Sequence, residues 1–267
     1  MFVNLSILIL HKNLIMKKIA MITGATSGIG RATAILLAQN DFSIIITGRR
    51  QQLLNELKKD LEVKYKQDVL SLCFDVRNLD EVEKAIEGIP SNWKNIDVLV
   101  NNAGLSVGLN PIQKGIIDDW ERMIDTNIKG LLYVTNCVLP IMIERGKGHI
   151  VNIGSIAGTQ VYENGNVYCA SKYAVHALSQ GMRIDLLKHG IKVTEIRPGL
   201  AETEFSLVRF KGDADAAKKP YIGLTPLSGD DIADTILFTI TRPDHVNIND
   251  LEITPTAQAS SFYVFRK

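Results

Sequence analysis

The segment KIAMITGATSGIGRATAILLA, residues 18–38, decides the fold class of this chain. Its first part, residues 18–23, is an apolar run of strand length, and residues 32–38 continue with a helical pattern. Between them lies a turn with three glycines, which lets the backbone approach a pyrophosphate at a helix N-terminus. The spacing Gly-x-x-x-Gly-x-Gly differs from the usual Gly-x-Gly-x-x-Gly, and a tight structural turn would explain one or two of these glycines.

The same alternation of strand and helix continues along the chain. Further strands are predicted at 42–47, 69–75, 96–102, 149–153, 191–196 and 248–253, and helices at 51–61, 79–89, 118–145, 230–241 and from Tyr168 onward. This order predicts an α/β fold, a Rossmann-type doubly wound parallel sheet of about seven strands with helices on both faces. Residues 16–267 contain no internal repeat or linker, so we expect a single domain with ligands at the C-terminal strand ends.

Composition narrows the class of protein. The chain has 267 residues, 46% of them hydrophobic, and a net charge of +1, so nucleic acid is not the expected partner. The cysteines, Cys73, Cys137 and Cys169, are odd in number and form no Cys-x-x-Cys pair, which disfavours a disulfide framework and a zinc site. No metal is predicted, and a reducing cytoplasm is expected. Cys169 is interpreted as a small buried residue, with a reactive thiol as the alternative.

Residues 1–15 are predicted to lie outside the fold as an N-terminal extension. They lack a basic n-region and a cleavage site, and their apolar run at 5–10 is too short to span a membrane. A second start at Met16 leads directly into the first strand. A membrane-associated helix is the alternative interpretation.

Three side chains between residues 155 and 172 form a candidate reaction centre. The strand at 149–153 leads to Ser155, and Tyr168 and Lys172 lie four residues apart on one helix face. A cation within roughly 4 to 6 Å lowers the pKa of a phenol, ordinarily ~10, by ~1 to 3 pH units, and so makes Tyr168 a usable proton donor and acceptor. A hydroxyl such as Ser155 can hold the substrate oxygen. Tyr-x-x-x-Lys also occurs by chance in many helices.

Two arginines, Arg49 and Arg50, follow the second strand where a ribose-reading residue belongs. Guanidinium groups suit a 2′-phosphate, and no acid is present there to hold a ribose 2′-OH, so NADP is favoured over NAD. The alternative is that both are solvated charges at a helix start. Residues 75–76 and 101–104 fall at later strand ends and are predicted to contact adenine and ribose, unless they serve only as turns.

Together, TGxxxGxG at 23–30, NNAG at 101–104, Ser155 and the Tyr-x-x-x-Lys motif resemble the short-chain dehydrogenase/reductase family over residues 18–253. The resemblance implies an oxidoreductase with Tyr168 as acid/base, Lys172 on the nicotinamide ribose and Ser155 orienting the substrate. It also implies a proton-relay role for Asn127, which by itself could simply bond to neighbouring backbone. The implied cofactor-binding residues are Gly24, Thr26, Ser27, Gly28, Ile29, Gly30, Arg49, Arg50, Asp75, Val76, Asn102, Ala103, Gly104, Tyr168, Lys172, Pro198, Gly199 and Thr203.

Two stretches, TEFSLVRFKGD at 203–213 and HVNIN at 245–249, resemble a narrower branch, the NADP-dependent 3-hydroxy acid dehydrogenases that oxidise serine and allo-threonine. The branch implies a homotetramer, with the last strand and the tail at 254–267 in an interface. One alternative is an NADPH-dependent reductase of other small ketones or aldehydes. An alternative of another class is a non-catalytic NADP-binding scaffold.

Residues 200–229, the lid segment, are polar and are predicted to cover the site rather than to form regular elements. A 3-hydroxy acid brings a carboxylate, and its candidate partners in the lid segment are Arg209 and Lys211. Arg209 is preferred because its planar fork can engage both carboxylate oxygens. An ion pair between Arg209 and Asp213 is the alternative.

Overall fold

The fold is a seven-stranded sheet, seen in a computed structural model that describes residues 17–267. All strand pairs are parallel, in the order β3-β2-β1-β4-β5-β6-β7. The strands are β1 Ile19–Ile22, β2 Ser43–Gly48, β3 Val69–Cys73, β4 Ile96–Asn101, β5 Gly148–Ile153, β6 Ile191–Pro198 and β7 Asp250–Ile253. The predicted fold class is therefore confirmed, with strand ends that differ from the prediction by up to two residues.

Helices cover both faces of the sheet, as the doubly wound order requires. They are α1 Gly28–Gln39, α2 Gln51–Tyr65, α3 Leu79–Glu87, α4 Ile117–Ile124, α5 Leu131–Arg145, α6 Asn166–Leu186, α7 Glu204–Arg209, α8 Ala214–Lys218 and α9 Gly229–Ile240. Helices α1, α2 and α9 contribute to one apolar core and α3, α5 and α6 to the other. Strand β2, with isoleucine on both faces, is buried from Ser43 to Thr47 because each face meets a helix layer.

Helices α4 and α5 form one continuous helix, Ile117–Arg145, as predicted, but a π-helical segment, Asp125–Gly130, joins them. This helix is long and apolar enough to cross a membrane by length and composition alone. It instead packs Val134, Val138 and Met142 into the core beneath the sheet. The π-helical segment carries Asn127, and such segments often occur at functional sites.

The lid segment contains two short helices, so the prediction that it lacks regular elements is wrong. The Thr203 hydroxyl accepts a hydrogen bond from the Phe205 amide at the start of α7. The Asp213 carboxylate accepts from the amides of Asp215 and Ala216 at the start of α8. Polar residues that suggested an irregular loop therefore cap helices, because they satisfy the first unpaired N–H groups.

The C-terminal tail packs on the lid segment of the same chain. The Lys267 amide donates to the Gly223 carbonyl at 2.9 Å, and the Gln258 side chain accepts from the Leu200 amide at 2.8 Å. Phe262 and Tyr263 remain exposed, at 69% and 72%. The predicted extension at residues 1–15 lies outside the described residues.

Candidate active site

A cavity of about 400 Å³ opens at the C-terminal ends of the strands, between the sheet and the lid segment. Most of the predicted site residues line it, which brings the glycine-rich turn, the two arginines and the reaction centre around one space. These residues are Gly24, Thr26, Ser27, Gly28, Ile29, Arg49, Arg50, Asp75, Val76, Asn102, Ala103, Gly104, Ser155, Tyr168, Lys172, Pro198, Gly199 and Thr203. Gly30, Asn127 and Arg209 do not border the cavity.

The glycine-rich turn is held by side chains that follow β4. The Asn102 amide donates to the carbonyls of Thr23 and Gly24, at 2.8 and 3.2 Å. Gly24 and Gly28 have φ angles of +65° and +51°, in the left-handed region that favours glycine. The Ser27 side chain does not cap the start of α1, and the first residues of this helix border the cavity, so its N–H groups point to a place where an anion can bind. This turn fits a pyrophosphate.

Gly30 was predicted to bind the cofactor, but it does not border the cavity. A Cβ atom at this position would overlap the Asn102 amide and the Gly24 carbonyl oxygen. Gly30 therefore allows α1 to pack closely against the turn rather than lining the cavity. This is the helix-packing role that a third glycine has in dinucleotide-binding turns.

At one end of the cavity, Arg49 and Arg50 flank the residues that follow β1 and β3. Arg49 Nη1 lies 3.6 Å from Asp75 Oδ2, and Arg50 donates from Nη2 to Thr26 Oγ1 at 2.9 Å. Arg50 Nη1 also pairs with Glu204 Oε2 at 3.1 Å, a partner that sequence reasoning missed. Both guanidinium groups are about half exposed, and this end suits a 2′-phosphate better than an unmodified ribose.

The reaction centre lies at the other end. Ser155 follows β5, and its hydroxyl accepts from the Ala157 amide at 3.1 Å and donates to the Pro198 carbonyl at 3.4 Å. Tyr168, from the first turn of α6, is buried, with 7% of its surface exposed. Lys172 follows one turn later and donates from Nζ to the Ile153 carbonyl at 2.8 Å.

The expected effect of Lys172 on the Tyr168 phenol is not what the structure shows. Burial raises the pKa of Tyr168, while the charge of Arg209 and a hydrogen bond with Ser155 oppose that rise. Lys172 Nζ lies 6.0 Å from the Tyr168 ring centroid, whereas the Arg209 guanidinium carbon lies at 5.0 Å. Burial lowers the pKa of Lys172 to about 8, against the opposing charge of Glu195. Desolvation therefore outweighs the attraction expected from sequence.

Asn127 lies behind the cavity wall, with 2% of its surface exposed. Its side chain accepts from the Leu105 amide and donates to the Leu105 carbonyl, both at 2.8 Å, and donates to Ser171 Oγ at 2.9 Å. The bonded backbone is thus 22 residues away in sequence rather than neighbouring. In this arrangement Asn127 fixes the loop after β4 against α6.

Arg209 is held in an aromatic pocket beside the reaction centre. Its Nε donates to Ser106 Oγ at 3.1 Å and its Nη2 to Tyr162 OH at 2.8 Å. The guanidinium carbon lies 5.0 to 5.7 Å from the ring centroids of Tyr168, Phe205 and Tyr162. The predicted alternative, an ion pair with Asp213, is absent among residues 17–267, because Asp213 caps α8.

The other lid cation, Lys211, is already paired. Its Nζ lies 2.8 Å from Asp119 Oδ2, and Asp119 is buried on α4. Sequence reasoning also missed Ser106, Tyr162 and Phe205 around Arg209. No local motif marks Ser106 and Tyr162, which lie 103 and 47 residues from Arg209, whereas Phe205 lies four residues before it on α7.

Cys169 is fully buried, which agrees with its interpretation as a small packed residue, and burial raises the pKa of its thiol. In the described part of the chain, one group of potential metal ligands lies within 4.8 Å, namely His176, Glu195 and Asp250. Arg197 Nη1 approaches both carboxylates, at 3.4 and 3.1 Å, and so occupies the place where a cation would lie.

The glycine-rich turn, the cavity and the group of Ser155, Tyr168 and Lys172 are features of one protein family. A family model described as short chain dehydrogenase matches residues 18–212, and the chain belongs to this family. It is 47% identical over 242 residues to the NADP-dependent 3-hydroxy acid dehydrogenase YdfG of Salmonella typhi, covering 90% of this chain and 96% of that protein. It is 46% identical over 253 residues to sulfoacetaldehyde reductase 2 of Chromohalobacter salexigens, covering 94% and 100%.

A solved structure of serine dehydrogenase, in its closed form with NADP+, is similar throughout. Its TM-score is 0.88 at 45% identity, and the match covers 93% of this chain and 100% of that one. The resemblance to the short-chain dehydrogenase/reductase family that the motifs implied is therefore confirmed.

Proposed function

We propose that this chain is an NADP-dependent oxidoreductase that transfers a hydride between the cofactor and short 3-hydroxy acids such as serine or allo-threonine. The observation that carries the proposal is a single cavity with Ser155, Tyr168 and Lys172 at one end and Arg49 and Arg50 at the other. The relatives that are NADP-dependent 3-hydroxy acid and serine dehydrogenases support it over both alternatives.

Each part of the cavity has a proposed role in holding the cofactor. The glycine-rich turn binds the pyrophosphate, and Arg49 and Arg50 bind the 2′-phosphate. The remaining contacts are divided among adenine (Asp75, Val76), ribose (Asn102, Ala103, Gly104, Lys172) and nicotinamide (Pro198, Gly199, Thr203). When bound there, the nicotinamide ring accepts or supplies the hydride.

The protein's own groups handle the proton and the substrate. During oxidation the C3 hydrogen leaves as a hydride, and the proton of the C3 hydroxyl passes to Tyr168 in its phenolate form, which gives a 3-oxo acid and the neutral phenol. Ser155 orients the substrate oxygen, and Asn127 takes the relay position behind the cavity wall. The Ser155 hydroxyl is fixed by the Ala157 amide and the Pro198 carbonyl, and so is well placed to orient the substrate oxygen.

Arg209 is the proposed partner of the substrate carboxylate. Within the described part of the chain no acid lies within 4 Å of its guanidinium group, although it is half-buried beside Tyr168. A cation without a counter-ion at such a place favours an anionic ligand. Ser106 and Tyr162 accept from its Nε and Nη2, and among residues 17–267 its Nη1 has no hydrogen-bond acceptor.

The assembly and the compartment are also proposals. We expect a homotetramer, since Phe262, Tyr263 and Phe265 of the tail are more than 60% exposed and would be covered by a partner subunit. The three cysteines are free, which suits a reducing cytoplasm. Light scattering on the purified protein measures the mass of the assembly, and a monomer would contradict the proposal.

A substrate panel tests the function. Reduction of NADP+ is followed with serine, allo-threonine and 3-hydroxypropionate, and with alcohols of similar size that lack the carboxylate, each repeated with NAD+. We expect the largest kcat/KM with NADP+ and a 3-hydroxy acid. Preference for an uncharged alcohol would instead favour the general ketone or aldehyde reductase, and no turnover with any substrate would favour the binding scaffold.

A further inference from the structure

Glu195 is a carboxylate buried within the fold, close to the reaction centre. It lies on β6, has no exposed surface and faces α6. Its Oε2 lies 2.6 Å from His176 Nδ1 and 3.4 Å from Arg197 Nη1. Its Oε1 is also buried, and in the part of the chain that the structure describes it has no hydrogen-bond partner. Burying a carboxylate oxygen without a hydrogen-bond partner costs free energy, so the position of Glu195 indicates a functional role.

That unpaired oxygen lies directly beneath the floor of the cavity. Gly154 lines the cavity between Ile153 and Ser155, and a Cβ atom on Gly154 would overlap Glu195 Oε1. The carbonyl of Ile153, one residue earlier, accepts the hydrogen bond from Lys172 Nζ. The Glu195 carboxylate and the Lys172 ammonium therefore approach the same short segment that follows β5.

Lys172 needs an opposing charge at this place. Its side chain is almost fully buried, and an ammonium group without a counter-charge in such surroundings loses its proton readily. Burial lowers the pKa of Lys172 to about 8, and Glu195 is the group whose charge opposes that change. His176, which contacts the other oxygen of Glu195, lies one helical turn after Lys172 on α6.

We propose that Glu195 is a positioning residue, whose buried carboxylate keeps Lys172 in its ammonium form beside the reaction centre. The titratable and charged groups that face Glu195 are Lys172 and His176 from α6, Arg197 from β6 and Asp250 from β7. Because the charge of Glu195 raises the pKa of Lys172, removing that charge lowers the pKa of Lys172. For a fall of about one pH unit, the charged fraction of Lys172 at pH 7.5 falls from roughly three-quarters to roughly one-quarter.

The consequence for catalysis rests on the proposed function, in which Lys172 holds the nicotinamide ribose. The protonation state of Lys172 does not depend on the proposed function, so it is measured in the absence of turnover. The protein is labelled with 13C at lysine Cε, and the Lys172 resonance is assigned by its loss in Lys172→Met. We expect its midpoint near pH 8 in the wild type and at least about one pH unit lower in Glu195→Gln.

A matched control is Glu252→Gln, which removes an acid on the other side of Arg197, 3.5 Å from its Nε and 38% exposed. We expect no change in the Lys172 midpoint there. An identical midpoint in the wild type and Glu195→Gln overturns the proposal, as does an equal fall in Glu252→Gln.

Glu195→Asp covers the case in which Glu195→Gln does not fold. It keeps the charge but draws it back from Gly154 by one methylene, so we expect a smaller fall of the midpoint than in Glu195→Asn, which has the same size without the charge. Equal midpoints in these two variants overturn the proposal. If the midpoint falls as expected while no 3-hydroxy acid is oxidised, only the proposed function fails. If 3-hydroxy acids are oxidised and the midpoint does not move, only the role of Glu195 fails.

Discussion

The two ends of the cavity are built in different ways. At the cofactor end, backbone atoms are held by short polar contacts between strand ends, such as those from Asn102 to Thr23 and Gly24. At the substrate end, side chains from the lid segment meet side chains from elsewhere, as Arg209 meets Ser106 and Tyr162. The structure of the cofactor end is fixed by the sheet. The structure of the substrate end depends on a few side-chain contacts, which substitutions can change. We therefore expect cofactor choice and substrate choice to be separable.

Tyr168→Phe gives the largest expected effect, because Tyr168 lies where the two ends meet. It removes the transferable proton and little volume, so we expect kcat to fall by ~10² to 10⁴-fold while NADPH binding stays nearly unchanged. Stopped-flow turnover and fluorescence titration of NADPH measure the two quantities.

Tyr162→Phe is the matched control for that substitution. It deletes the same hydroxyl group from a neighbouring ring, and this hydroxyl accepts from Arg209 rather than exchanging a proton. We expect a much smaller fall in kcat. Near-wild-type kcat for Tyr168→Phe would show that the proposed acid/base role is wrong.

Arg209→Ala tests the substrate end alone. Loss of a charge-assisted contact of roughly 1.5 to 3 kcal/mol lowers kcat/KM by ~10 to 100-fold for a 3-hydroxy acid, with little change for an alcohol that lacks the carboxylate. Lys211→Ala removes a lid cation that is already paired with Asp119, and so serves as the control.

Equal losses on the acid and the alcohol would contradict the carboxylate role of Arg209. They would show that Arg209 acts on both substrates through Tyr168, whose ring it covers at 5.0 Å. In that case the dependence of kcat on pH would move as well, because the charge of Arg209 opposes the raised pKa of Tyr168. In Arg209→Ala the part of the kcat–pH profile that reflects the ionisation of Tyr168 would shift to higher pH.

Replacing Arg49 and Arg50 by Ala tests the cofactor end alone, with a smaller expected effect. Both guanidinium groups are about half exposed, at 57% and 47%, so solvent weakens their contacts. We expect NADP+ affinity to fall by ~10-fold and NAD+ affinity to change little. Titration of both cofactors decides this, with Arg31→Ala on α1 as a control that removes one charge outside the cavity lining, and equal losses would exclude the 2′-phosphate role.

The same contrast explains what the sequence could predict. The sheet, the glycine-rich turn, Ser155, Tyr168 and Lys172 depend on short spacings within a strand, a turn or one helix face. Ser155, Tyr168, Lys172 and most of the turn line the cavity. The position of Gly30 away from the cavity could not be predicted, because it depends on how Asn102 packs behind the turn. Spacing identifies which residues share an element but not what fills the space next to them.

The raised pKa of Tyr168 illustrates the same limit. A four-residue spacing predicts that Lys172 is near, but not that burial outweighs its charge or that Arg209 is the closer cation. The pair of Arg50 with Glu204 joins residues 154 apart, which no local pattern reports. The helices of the lid segment were missed because their capping residues also suit a loop.

The most direct test of hydride transfer to NADP from a 3-hydroxy acid follows the hydrogen itself. Serine deuterated at C3 is oxidised with NADP+, and the NADPH formed is analysed by mass spectrometry. We expect NADPH one mass unit heavier, and far less NADPH in the same time when Tyr168→Phe replaces the wild type under the same conditions. Unlabelled NADPH from the deuterated serine would contradict direct transfer from C3, and with it the proposed function.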